Sequence, residues 1–216
     1  PGPSGARRPD PTRCVDVQGS PVTVPDIRTH LQYHGGLAGQ PAQRAAPPCV
    51  PADAGYSARM SLHRNNRRAI EAAAAHGLHL EVTRFDDDVR TAAAAAAAIG
   101  CPVGAIVKSL VLGSDDGPLM VLTSGANRVS YGKVAAATGR TGIHRADAET
   151  VRAATSYPVG GVSPFGHPEP ITMLLDRDLL AYEQVWAAAG TPDSVFPIAP
   201  ADLVAATGAV PADVVE

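Results

Sequence analysis

The sequence predicts an α+β fold built on a mixed, partly barrel-like β-sheet flanked by helices. Three observations carry that expectation. Two apolar runs, Ala105 to Leu112 and Leu119 to Thr123, are separated by the turn Ser114-Asp115-Asp116-Gly117-Pro118 and read as a hairpin. Helical stretches recur with their own stop signals, closing on Gly77, Gly100, Gly139 and Gly190. The strands come in hairpins and short pieces between helices, without the regular alternation of a βαβ array or an internal repeat.

In chain order, Ser61 is positioned to cap a first helix that runs through Ala75 and ends at Gly77. Leu78 to Arg84 alternates like a strand. Thr91 to Ile99 reads as an alanine-rich helix stopped by Gly100 and Pro102, with Asp86, Asp87 and Asp88 just ahead of its positive end. The hairpin follows. Ser130 caps a helix through Thr138, and Asp147 caps another through Ala154. Ile171 to Leu175 is a strand, Leu179 to Ala189 a helix, Ser194 to Ile198 a short strand and Ala201 to Thr207 a last helix.

Composition divides the chain near Met60. Residues 1–59 hold 10 Pro and 7 Gly without a sustained period of 2 or 3.6, whereas residues 60–216 hold 10 Pro and 14 Gly over a far longer, patterned stretch. The first part is expected to be a disordered Pro/Gly-rich extension or, because Met60 precedes the first good helix, sequence upstream of the true start. The remainder, 60–216, is the expected folded domain.

Of the 216 residues 45% are hydrophobic and 4% aromatic, which points to a core of Ala, Val, Leu and Ile. A net charge of -3 gives no global attraction to phosphate, so a nucleic-acid contact would need a local basic patch. Arg64, Arg67 and Arg68 on the first helix are the densest such group, read either as a solvated face or as a tRNA backbone contact. Cys14, Cys49 and Cys101 form no disulfide framework, and neither a membrane-length apolar run nor a secretory signal is present, so the expected location is the cytoplasm.

Several motif-like stretches fail on spacing. Gly104 lies four residues before Lys108 in G-A-I-V-K-S, too far for a P-loop to gather amides and ammonium on one phosphate. Gly161 to Gly166 misses the G-x-S-x-G elbow by one residue, and Pro164 lacks the N–H that would follow the serine, so Ser163 is a poor nucleophile. His76 and His79 lack the i, i+4 spacing of a zinc pair and read as surface residues; Cys101 reads as packed rather than reactive.

Two features remain. Lys108 sits inside an apolar strand and shares its face with Ile106 and Leu110; it is either an edge-strand lysine with a packed stem or a cation aimed into a cleft. The segment Tyr157 to Pro168 is too long and too rich in Gly and Pro for a hairpin turn. Paired Gly160 and Gly161 allow a backbone to approach a ligand and to offer N–H groups to an oxyanion, or simply form a structural loop.

The sequence resembles the YbaK/EbsC family, related to the ProX-type trans-editing aminoacyl-tRNA deacylases. The resemblance runs in order through Ala98 to Gly104, Ile106 to Leu110, Thr123 to Val129, Tyr157 to His167 and Val185 to Pro192, and has no counterpart in residues 1–59. It implies a single mixed domain with a partly closed sheet and neither metal nor cofactor. Lys108, Gly160 and Gly161 would be the catalytic elements: the lysine holding the substrate's carbonyl or terminal phosphate region, the glycine amides orienting the ester, and the ribose hydroxyl helping to activate water.

Ser109, with Ser163 and Pro164 of the turn, would make substrate contacts; Asn127 and Arg128 would line the rim, and Phe85 a small apolar pocket. The implied partners are mischarged tRNA, carrying Ala, Ser, Thr or Cys, and an aminoacyl-tRNA synthetase. Phe85-Asp86-Asp87-Asp88 departs from the better-known branch, which has an aromatic and a histidine before Asp-Pro, so that branch's cysteine specificity does not transfer. From Met60 onward the chain has 12 Lys and Arg against 17 Asp and Glu, a balance that keeps open a non-catalytic module binding an aminoacyl or nucleotide group, or a hydrolase of small aminoacyl esters.

Overall fold

A computed structural model describes residues 62–85 and 91–216. The expectations for residues 1–59, the Ser61 cap and Asp86 to Asp88 lie outside the described residues. Helix α1 (Arg64–Ala74) is capped by His63, whose Nδ1 accepts the Asn65 N–H. Strand β1 (Thr83–Arg84) is followed by α2 (Ala92–Ile99), which Thr91 caps and Gly100 closes in the left-handed conformation. One short 3₁₀ turn, Val103–Ala105, then leads into β2 (Val107–Gly113) and β3 (Leu119–Ser124).

The middle of the chain supplies α3 (Tyr131–Thr138), β4 (His144–Arg145) and α4 (Ala148–Thr155), with Ser130 and Asp147 at the expected caps. Then come β5 (Thr172–Asp176), a 3₁₀ turn (Arg177–Ala181), β6 (Val185–Ala188), β7 (Ser194–Ile198), α5 (Pro200–Thr207) and β8 (Val210–Ala212).

Five strands form one sheet in the order β4-β2-β3-β5-β8, and three form a second in the order β1-β7-β6. The first is mixed: β2 and β3 are antiparallel, while β3, β5 and β8 run parallel. Among the described residues a parallel bridge, Ile106 to Trp186, links the sheets, and neither sheet closes into a barrel. The α+β class stands.

Two elements differ from expectation. Leu179 to Ala189 is not a helix. It begins as a 3₁₀ turn and continues as β6, where Val185 and Ala187 are fully buried and Trp186 and Ala188 are half-buried. That period of two, set by pairing with β7, overrides the helix propensity of the alanines. Only Thr83 and Arg84 of Leu78 to Arg84 are strand, because β7 offers them just two partners, Val195 and Ser194.

Strict alternation along β2 divides the core. Val107 and Val111 join Met120, Leu122, Leu175 and Phe196 on one face, while Leu112 joins Leu119, Val121, Val134 and Leu174 on the other. The buried α1 asparagines tie the first core to the second sheet. Asn66 Nδ2 donates to the Ala189 carbonyl and to Ser194 Oγ, both at 2.8 Å, and Asn65 Nδ2 donates to the Gly190 carbonyl at 3.0 Å. Buried amides with satisfied donors fix the β6–β7 turn in place, and that turn backs the site below.

Candidate functional site

Strand β2 has β3 along one side, but on the other β4 pairs only with Leu112 and Gly113. From Val107 to Leu110 that side opens into a cleft of about 890 Å³. Lys108, Ser109, Phe85, Trp186, Val159 and Gly160 are among the residues that line it. Expected site residues from three separate parts of the sequence, Phe85, Lys108 with Ser109, and Gly160, therefore line one cavity. Asn127, Arg128, Gly161, Ser163 and Pro164 are not among its lining residues.

Lys108 lies directly across from Thr123 in the β2–β3 register, and Thr123 neighbours Asp176 on β5. The Lys108 ammonium donates to the carbonyls of Gly125, at 3.2 Å, and Asn127. Asp176 is 1% exposed and holds the same turn from below. Its Oδ2 accepts from Thr123 Oγ1 at 3.1 Å, the Ser124 N–H at 3.0 Å and Asn127 Nδ2 at 2.9 Å, and its Oδ1 accepts from the Asp178 N–H at 3.0 Å.

Burial pushes the Lys108 pKa below its ordinary value; the Asp176 carboxylate opposes that shift and Arg128 adds to it. The lysine is thus a partly desolvated cation in a cage of carbonyls. Asn127 belongs to that cage through its main chain, with its side chain turned to Asp176 and Asp178.

At the glycine turn, Gly160 has φ +87°, the left-handed region that glycine adopts without penalty. The Gly161 N–H donates to the Pro158 carbonyl at 3.0 Å and so closes the turn itself. Gly161 also packs on the β6–β7 turn so closely that a Cβ would sit 2.6 Å from the Thr191 carbonyl carbon. Among the described residues the Gly160 N–H donates to no backbone carbonyl, which leaves it available at the cleft.

Ser163 and His167 fix the turn from behind. Fully buried Ser163 accepts the Phe165 N–H on Oγ at 3.2 Å, and its carbonyl lies 2.7 Å from His167 Nε2, which must carry the proton because a carbonyl only accepts. Burial, with Arg68 adding, pushes the His167 pKa down to about 4. Arg68 itself is structural: its guanidinium lies 4.0 Å from the Tyr157 ring centroid and donates to the Thr155 and Ser156 carbonyls. Arg64 and Arg67 are the exposed members of that basic group.

Ser109 Oγ is buried with no hydrogen-bond partner among the described residues, on the β2 face of Val107 and Val111 and opposite the face of Lys108. Among the lining residues that escaped the sequence reading are Tyr131, 42% exposed, and Arg145 on β4. Nothing local marks them; only the β2–β4 pairing and the start of α3 bring them to the cleft. Among the described residues no cluster of three His, Cys, Asp or Glu is placed to hold a metal, and no helix is long and apolar enough to cross a membrane.

The result is a mixed-sheet α+β domain that carries a caged lysine and a glycine turn on one cleft. The chain belongs to the aminoacyl-tRNA editing domain family, whose model matches residues 86–206. Among curated proteins it is 26% identical over 124 residues, 57% of this chain and 76% of the other, to the Enterococcus faecalis protein named "Putative Cys-tRNA(Pro)/Cys-tRNA(Cys) deacylase EbsC". Among solved structures it resembles "a putative trans-editing enzyme for prolyl tRNA synthetase" at 43% identity and TM-score 0.69, covering 72% of this chain and 99% of that one. A second, "hypothetical protein APE2540", shares 34% identity at TM-score 0.65, covering 69% of this chain and 99% of that one.

Proposed function

We propose that this domain hydrolyses the ester joining a small amino acid, of the Ala, Ser, Thr or Cys class, to a mischarged tRNA. The observation that carries the reading is the meeting of Lys108 and the Gly160 turn on one cleft. An aminoacyl ester is already activated, so its hydrolysis needs a placed water and stabilisation of a tetrahedral oxyanion more than a protein nucleophile. The family membership and the activities for which the relatives are named support the same reaction.

In this reading Lys108 presents its charge to the carbonyl or phosphate side of the ester, and the Gly160 N–H donates to the developing oxyanion. The neighbouring ribose hydroxyl helps to activate the attacking water, so the chain's own residues orient and stabilise. Ser109 contacts the aminoacyl group, and Phe85 with Trp186 limits its size. Asn127, Ser163 and Pro164 shape the two loops. The synthetase that makes the error is the natural partner, handing over its product before it is used.

The deciding experiment incubates the protein with tRNAs mischarged by Ala, Ser, Thr or Cys beside the Lys108→Ala variant. Release of one or more amino acids by the wild type, lost in a variant that keeps its circular-dichroism spectrum, is the expected result. Equal activity in the variant would overturn the assignment.

A further inference from the structure

Of the 18 lysines and arginines in the chain only two are lysine, Lys108 and Lys133. The distinction is chemical. A guanidinium keeps its charge in a protein, whereas an amine can shed a proton and present a nitrogen lone pair. The fold places the two amines in opposite settings.

Lys133 is exposed on α3 and held by Asp213, whose Oδ1 and Oδ2 lie 2.9 and 3.0 Å from its nitrogen. An ion pair of that kind is made with the ammonium, and loss of a proton breaks it. Lys108 is held differently. Among the described residues its nitrogen donates to the Gly125 and Asn127 carbonyls and has no carboxylate within ion-pairing distance. Two carbonyls need two N–H groups. An ammonium supplies three and an amine two, so the cage outlasts the loss of a proton.

With Cε and two N–H bonds in place, the last tetrahedral position on the Lys108 nitrogen carries either the third proton of the ammonium or the lone pair of the amine. Lys108 lines the cleft and the two residues that supply the carbonyls do not, so this is the position left for a ligand. The surroundings disfavour charge there. Burial acts most strongly, Asp176 beneath the turn opposes it, and Arg128 reinforces it; Asp178 joins through its hydrogen bond with Asn127 Nδ2 at 2.7 Å. Ile106 and Leu110 flank Lys108 on β2, and Ala92, Ala95 and Trp186 line the same cleft. Apolar walls of this kind hold an acyl group, and a lysine desolvated against them is an activated nucleophile.

We infer that Lys108 is an acyl acceptor: its nitrogen takes the acyl group of an activated ester lodged in the cleft and keeps it as an amide. The lone pair attacks the ester carbonyl, the C–N bond forms, the ester C–O bond breaks, and the proton shed by nitrogen ends on the departing alcohol oxygen. No other reactant is consumed. The step needs an ester in the cleft but not its hydrolysis, so it stands apart from the editing reading. Where the ester is aminoacyl, the product is an Nε-aminoacyl-lysine, uncharged at Nε and with one N–H for two carbonyls. Acylation thus removes the cation and silences the site.

The test treats the full chain with limiting p-nitrophenyl acetate and locates the acetyl groups by peptide mapping in a mass spectrometer. Lys108 is acetylated about tenfold faster than Lys133, a small part of the advantage that a well-oriented intramolecular reaction reaches. It also reacts faster in the folded chain than in the chain unfolded by urea. Asp213→Ala, which frees Lys133 from its ion pair, leaves Lys108 ahead. Equal labelling of the two lysines in the folded chain, a Lys133 that draws level in Asp213→Ala, or a Lys108 that reacts more slowly folded than unfolded overturns the inference. Preferential labelling of Lys108 in a protein that deacylates no tRNA leaves the inference standing and overturns the hydrolase reading; deacylation by a protein whose Lys108 resists the ester does the reverse.

Discussion

Lys108 and Asp176 never touch, yet Asn127 joins them: its carbonyl accepts from the lysine ammonium while its side-chain amide donates to the aspartate at 2.9 Å. Asp176 therefore sets the position of a cation from which it is one residue removed. It also supplies, through space, the charge that resists the lysine's loss of its proton.

Asp176→Asn is expected to affect position and charge together. A neutral amide satisfies the Thr123, Ser124 and Asn127 donors less well, and stability falls by about 1–3 kcal/mol. Without the carboxylate the Lys108 pKa drops further below its ordinary value, so activity that needs the ammonium declines at lower pH than in wild type. Single-turnover deacylation across pH, beside thermal denaturation, reads both effects; an unchanged pH profile would refute the electrostatic part.

The two glycines of the turn should fail for different reasons. In Gly161→Ala the new methyl meets Thr191 and Pro192 main chain at 2.6–2.9 Å, which only a backbone shift relieves, at a cost of about 1–3 kcal/mol. Gly160→Ala has room, its nearest neighbour being Pro192 Cβ at 3.7 Å, and carries only the left-handed strain of about 1–2 kcal/mol. Urea midpoints should rank wild type above Gly160→Ala above Gly161→Ala.

His167 makes stability depend on pH. Its folded pKa of about 4 lies below the ordinary 6.5, so the unfolded chain takes up the proton first. Its contribution is fully present above about 6.5 and is lost progressively as pH falls towards about 4. The loss is at most about 3 kcal/mol and is reduced by the part of the ring that solvent reaches. His167→Gln, which can still donate to Ser163, should flatten the melting-temperature profile over that window; a profile as steep as wild type would assign the effect elsewhere.

Arg68→Gln removes the cation over Tyr157 and weakens the anchor on Thr155 and Ser156, lowering stability by about 1–2 kcal/mol. Since that guanidinium is committed inside the fold, the salt dependence of tRNA binding should stay as it is. A shallower slope would return Arg68 to the nucleic-acid contact.

Local signals were enough for the hairpin, the capped helices α2, α3 and α4, and strand β7, because each is written in neighbouring residues. Strand β6 was not legible: Val185 to Ala189 is alanine-rich, and only pairing with β7 fixes its period. Strands β4 and β8 span two and three residues, too few for any pattern to register. Lys108 was visible as a charge in an apolar run. Its cage was not, since nothing local ties Asp176 to Thr123, 53 residues away in sequence. Tyr131 and Arg145 carried no signal because only tertiary packing brings each of them to the cleft.

The mixed sheet also dictates an order of assembly. The β2–β3 hairpin closes a five-residue turn and brings Lys108 across from Thr123 at small entropic cost. Parallel pairing of β5 with β3 must wait until some fifty residues of intervening chain have been gathered in, since Thr123 and Asp176 are 53 apart in sequence. Asp176 is thus among the later groups to dock, and the carbonyl cage around the lysine is complete only when the chain has finished folding. A nascent or partly unfolded molecule carries the lysine but not its cage, so under the proposed function deacylation would itself report completion of the fold.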